Sequence, residues 1–235
     1  MTESRDPFWS VVESWGLESL PVLPEWIEER IEEKKESVPI NLPRRLAALK
    51  TEVGKCRKCE LGASRKNPVF GEGNPEAGIL VIGEGPGAME DETGRPFVGR
   101  SGKLLDKIFD SIGLTREDLF IANIVKCRPP GNRTPTSREA AVCGKYLQQQ
   151  IDIMGPEVIV TLGASAARYI LDTSMGIGAL RGEFRRFGDI PVLVTYHPAA
   201  LLRSPGLKRP VWEDMKMLRA FLEKASLPRG RNVPE

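Results

Sequence analysis

Histidine is almost missing from this chain. One residue in 235, His197, carries an imidazole. Chemistry that needs a histidine pair, or a histidine-rich metal site, is therefore excluded. Four cysteines are too few to staple a chain of this length as a disulfide scaffold. No apolar run approaches the roughly 20 residues that span a bilayer. The opening MTESRDPFWS lacks the basic-then-apolar pattern of a secretory leader. These absences set the expectation of a cytoplasmic protein, monomeric and without a membrane partner. Two signatures of known chemistry are missing as well. GEGPGA carries Ala88 where a dinucleotide-binding G-x-G-x-x-G needs its third glycine. The H-x-E and P-C-x-x-C elements of zinc deaminases fail, since His197 precedes Pro198-Ala199 and Cys56 follows Lys55. Internal repeats and low-complexity tracts are absent too.

What is present is an ordinary globular composition, 40% hydrophobic and 28% charged, with unevenly placed charge. Residues 1–40 hold ten acidic and four basic side chains, while the remaining 195 hold 22 acidic and 30 basic. A basic body behind an acidic leader suits a polyanionic partner, although a modest basic excess also describes a plain solvated surface.

The organising stretch is Ile79 to Gly102. Ile79–Ile82 reads as a short strand buried on both faces, as inside a parallel sheet. Gly83, Gly85 and Gly87, with Pro86, then force a tight turn that bares backbone to a neighbour. Further strands are expected at 119–127, 158–163 and 191–197. Helices are expected over 44–54, 102–112, 164–171, 211–224 and from Ser137 to Met154, the last opened by a Thr136/Glu139 capping box. Strands alternating with helices predict an α/β fold with a parallel sheet covered on both faces. Ligands bind such sheets at the carboxyl ends of the strands. Ahead of this body, PEWIEERIEEKKES puts Trp26, Ile27, Arg30 and Ile31 on one face of an amphipathic helix. The expected division is an N-terminal extension over 1–45, a main domain over 46–228 and a tail over 229–235.

The cysteines run C-x2-C-x67-C-x15-C: Cys56, Cys59, Cys127 and Cys143. A C-x-x-C pair with two more cysteines near element ends suggests four thiolates converging on one metal centre. Zinc and an iron–sulfur cluster both accept that ligand set.

His197 follows the last expected strand, on the same sheet edge as the glycine turn. Asn123 interrupts an apolar strand, where a buried amide needs a partner. That partner is either backbone or a ligand. With donor and acceptor side by side, the amide can match a base edge that presents an acceptor beside an N–H, as uracil does with O4 and N3–H and cytosine does in reverse. Phe97, in GRPFVG, can supply a stacking face.

Taken together, GEGPG, GRPFVG, ANIVKCRPP, HPAALLR and the four-cysteine spacing resemble the family 4 uracil-DNA glycosylases, over roughly residues 46–225. The resemblance implies a three-layer α/β/α sandwich around a four-stranded parallel sheet, and a [4Fe–4S] cluster on the four cysteines. It implies that Glu84 and Gly85 line the uracil pocket, Phe97 stacks on the base and Asn123 reads its edge. His197 would donate a hydrogen bond to uracil O2, and Asn132 would position the attacking water. Several other branches of the superfamily carry an aspartate where this chain has Gly85.

The implied partner is uracil-containing DNA, single- or double-stranded, and the implied product an abasic site. Flipping the nucleotide costs a few kcal/mol. Candidate phosphate ligands are Lys126, Arg128, Arg133, Arg138, Arg203, Lys208 and Arg209. Leu201 or Leu202 would wedge into the vacated step. The rival reading is a metal-stapled DNA-binding protein with no glycosylase activity.

Overall fold

The computed structural model describes residues 20–33 and 42–227. In chain order its helices and strands are α1 (Glu25–Glu33), α2 (Leu42–Lys55), α3 (Leu61–Ser64), β1 (Glu72–Gly73), β2 (Ile79–Gly83), α4 (Ala88–Thr93), α5 (Arg100–Asp110), β3 (Phe120–Asn123), α6 (Ser137–Met154), β4 (Val158–Leu162), α7 (Ala164–Leu171), α8 (Ile177–Leu180), β5 (Phe184–Phe187), β6 (Ile190–Thr195), α9 (Pro198–Arg203) and α10 (Lys208–Lys224).

The strands form one sheet in the order β1-β3-β2-β4-β6-β5. Its central strands β3, β2, β4 and β6 are parallel, as expected, and β1 and β5 add antiparallel edges. The expected four strands are thus the middle of six. The edges escape the sequence pattern for physical reasons. β1 is two residues long, and β5 (FRRF) buries Phe184 while exposing Arg186, the charged profile of a guarded edge.

Alternation along β2 explains why every residue in it is buried. Ile79 and Val81 join one apolar cluster with side chains of α1, α5 and α10, while Leu80 and Ile82 join another with α2, α6 and α7. A strand sandwiched between two helical layers has no polar face to show. The three-layer reading therefore holds.

Ile27 and Ile31 of α1 are buried in the first cluster, the Arg186 guanidinium lies 4.0 Å from the centre of the Trp26 ring, and Arg30 pairs with Glu157 at 3.2 Å. This helix rests on the sheet layer. Helix α2 begins at Leu42, ahead of the expected boundary at 45. Of the expected extension over 1–45, residues 1–19 and 34–41 lie outside the described residues, as does the expected tail over 229–235.

From β2 the chain crosses to β3 on one side, then jumps to β4 on the other. The carboxyl edge of the sheet therefore opens a crevice where the strand order reverses.

Candidate active site and cysteine centre

Chain leaving β2, β3, β4 and β6 enters one cleft of about 550 Å³. Glu84, Gly85, Phe97, Asn123, Asn132 and His197 all line it, so the six residues expected around the base are brought together. β3 stops at Asn123 rather than running to 127, so the amide stands at the strand's end instead of inside it.

Asn123 is 1% exposed, and its Oδ1 has no hydrogen-bond partner. A buried amide oxygen left open is costly unless a ligand fills the vacancy. Beside it, Phe97 holds a left-handed backbone, φ 53°. Glu90 secures that turn, its Oε1 accepting the Val98 and Gly99 N–H groups at 2.9 Å each. Arg116 also donates to the carbonyls of Pro96 and Phe97. Gly83 makes the approach of ring and amide feasible. A Cβ there would sit 2.4 Å from Asn123 Oδ1 and 2.6 Å from Phe97 Cζ. The Phe97 and His197 ring centres are 5.7 Å apart.

His197 caps α9, and its Nδ1 accepts the Ala199 N–H at 3.1 Å. That bond assigns the imidazole proton to Nε2 and leaves Nε2–H as a donor. Burial, reinforced by Arg203, pushes the imidazole down to about 4. At neutral pH the group is an uncharged donor. Gly163, at φ +90°, lets this segment pass, since a Cβ there would lie 3.0 Å from that of His197.

A second cavity lies past the end of β3, where Lys126 and Cys127 line it. Cys56, Cys59, Cys127 and Cys143 all line it, the latter two buried. Burial pushes the Cys143 thiol up to about 11 and raises Cys127 as well. Two donors already face the sulfurs: the Lys126 N–H to Cys143 Sγ and Arg65 Nη1 to Cys127 Sγ, both at 3.1 Å. Among the described residues, no group of three or more His, Cys, Asp or Glu side chains is set to hold a metal ion.

Comparison with known proteins decides the family. The model of the uracil DNA glycosylase superfamily matches residues 70–216. A type-4 uracil-DNA glycosylase of Thermotoga maritima is 48% identical over 176 residues, 73% of this chain and 92% of the relative. The chain belongs to the uracil-DNA glycosylase superfamily. A type-4 enzyme of Sulfurisphaera tokodaii is 46% identical over 74% of this chain and 83% of the relative. A type-5 enzyme of Thermus thermophilus is 32% identical over 66% and 80%.

In this superfamily member several expected surface roles meet correction. Leu201 is 1% exposed and packs in the sheet-side core, so it is no wedge; Leu202, 44% exposed, remains free to be one. Lys126 is wholly buried and bonds protein oxygens, so it meets no phosphate. Arg133 lines the cleft but spends its fork on Glu139, at 2.8 and 2.7 Å, and holds that carboxyl down to about 2. Arg128 Nε donates to Asn132 Oδ1 at 2.8 Å and so aims the Asn132 amide. Arg203 is exposed on the cleft wall, Arg138 is exposed, and Arg209 pairs with Glu213.

At Gly85 an added Cβ would stand 2.7 Å from Val125 Cγ2. A side chain at this position would require Val125 to shift. Glu90, Ser101 and Ser165 also line the cleft and went unread in the sequence. The ED pair after the glycine turn was a signal for Glu90, but nothing local shows that its carboxylate turns back to hold GRPFVG.

Proposed function

We propose that this chain excises uracil from DNA by hydrolysing its N-glycosidic bond, leaving an abasic site as the first step of base excision repair. The observation that carries the reading is the open Asn123 Oδ1 in a cleft shared with Phe97 and His197. Uracil's N3–H satisfies that oxygen and its O4 accepts from Nδ2, while Phe97 covers the ring. Departure of the base builds negative charge on O2 and positive charge on the sugar. A neutral Nε2–H aimed at O2 in a dry site lowers the barrier by roughly 3–4 kcal/mol. Its fixed tautomer keeps the donor in place as the bond breaks.

Water must then meet the sugar. Asn132, aimed by Arg128, is the positioning group, and Glu84 supplies a carboxylate to the same cleft. Among the described residues no lysine lines the cleft, which supports a monofunctional enzyme without a Schiff-base step. Leu202 fills the step vacated by the flipped nucleotide, and Arg128 and Arg203 meet phosphates.

The four cysteines fit a metal–sulfur centre, and we assign them a [4Fe–4S] cluster. Two N–H···S bonds suit thiolate ligands, which zinc and an iron–sulfur cluster both accept, and the resemblance to the family 4 enzymes favours the cluster. The cluster would bind the α2–α3 segment to the end of β3 and α6, a structural chemistry without turnover.

The test is direct. Purified protein should release free uracil from a uracil-containing oligonucleotide and leave an alkali-labile site. No release from U·G, U·A or single-stranded substrate would leave only the non-enzymatic DNA-binding reading.

A further inference from the structure

Among the described residues Lys126 is the one lysine buried without any exposed surface, and no step above uses it. Its Nζ donates to the Asn123 carbonyl at 2.8 Å and to Gln150 Oε1, whose own amide donates to the Phe70 carbonyl at 3.0 Å. Both oxygens facing the ammonium are neutral. Among the described residues no carboxylate pairs with it. A buried ammonium with only neutral partners is costly. Lys126 itself lines the cysteine cavity, together with Cys56, Cys59, Cys127 and Cys143. Its backbone N–H bonds Cys143 Sγ at 3.1 Å, and Cys127 is the next residue.

We propose that Lys126 is a positioning residue that couples the metal centre to uracil recognition. Four thiolates outweigh a dicationic metal core, so the occupied centre carries net negative charge and is the counter-charge the ammonium lacks. The same ammonium holds the carbonyl of Asn123 where β3 ends, while the Ile124 N–H bonds the Gly83 carbonyl at 3.0 Å on the β2 side. Gln150, rooted on α6 and tied to Phe70, fixes the ammonium from the far side. The centre thus holds Lys126, Lys126 holds the Asn123 peptide, and the peptide sets where the open Oδ1 points. A cluster without redox turnover still acts on the base pocket in this arrangement, through one side chain.

The inference rests on the iron–sulfur reading, and its test separates the two. Iron content and charge-transfer absorbance of the wild-type protein come first; a metal-free, correctly folded wild type would sink the cofactor reading itself. With iron present, two quantities are measured on the wild type and on Lys126→Met: the cluster's midpoint potential and the dissociation constant for free uracil, which reads the pocket without DNA. Removing a nearby positive charge should move the potential to more negative values. Losing the clamp should weaken uracil binding by about tenfold, the scale of one charge-assisted hydrogen bond. If Lys126→Met does not keep its iron, Lys126→Gln takes the same two measurements. It should show the lowered potential with a smaller loss of uracil affinity, because an amide donor remains. An iron-loaded variant with either quantity at its wild-type value overturns the coupling.

Discussion

The two cavities at the end of β3 are built on opposite plans. The cleft leaves its key acceptor empty: Asn123 Oδ1 is buried without a partner, and the Nδ1 bond of His197 leaves Nε2–H as a donor in a residue that lines the cleft. In the cysteine cavity the sulfurs already receive N–H groups from Lys126 and Arg65. An open polar atom suits a ligand that arrives and leaves. Pre-placed donors suit a charged group that stays. On the proposed reading, one short stretch, Asn123 to Cys127, would serve a transient guest on one side and a permanent one on the other.

The largest expected effect breaks the permanent side. Cys143→Ala removes a buried ligand, and binding energy at such centres is folding energy. We expect loss of the visible absorbance and a cooperative unfolding transition shifted steeply downward. A colourless variant with the wild-type Tm would show that the centre does not support the fold.

Next comes the transient side. Gly83→Ala forces a methyl between Asn123 and Phe97, and overpacking of 1–3 kcal/mol should cut excision by roughly ten- to a hundredfold. Stability should fall by no more than that, and DNA binding should persist. Unchanged excision in single-turnover assays would mean that the amide and ring do not share a base. Asn123→Asp has a subtler outcome: it should narrow the preference for uracil over cytosine, read by excision from matched oligonucleotides. Selectivity that survives intact would remove Asn123 as the reader.

The smallest effect concerns pH. The folded chain keeps His197 neutral down to about pH 4, whereas the unfolded chain protonates it near 6.5. The unfolded state therefore binds more protons between those values, and stability falls as pH drops from 6.5 to 4. Asp214, buried and pushed up to about 6, acts in the opposite sense between its ordinary 3.8 and 6. In His197→Gln only the second contribution remains, so Tm should decline less on acidification. Identical Tm–pH curves for variant and wild type would contradict the buried, neutral imidazole.

Much of this was legible in the sequence because local patterns carry it. Apolar runs marked the central strands, a capping box marked α6, and strand-end motifs placed His197 and the glycine turn on one edge. What was hidden depends on distant partners. Lys126 reads as a phosphate ligand until Gln150, far along the chain, is seen to hold it. Leu201 and Leu202 look alike until helix α9 turns one into the core. Glu90 gives no sign that its carboxylate secures the loop bearing Phe97. The edge strand β5 lies in a charged segment whose pairing only β6 reveals.

The central claim is that one imidazole, Asn123 and Phe97 act on a single extruded uracil. Single-turnover excision of a U·G oligonucleotide by His197→Ala, beside its DNA affinity, tests it most directly. The account predicts a rate about 10²–10³-fold lower with affinity little changed. A wild-type rate in a folded His197→Ala protein would contradict it.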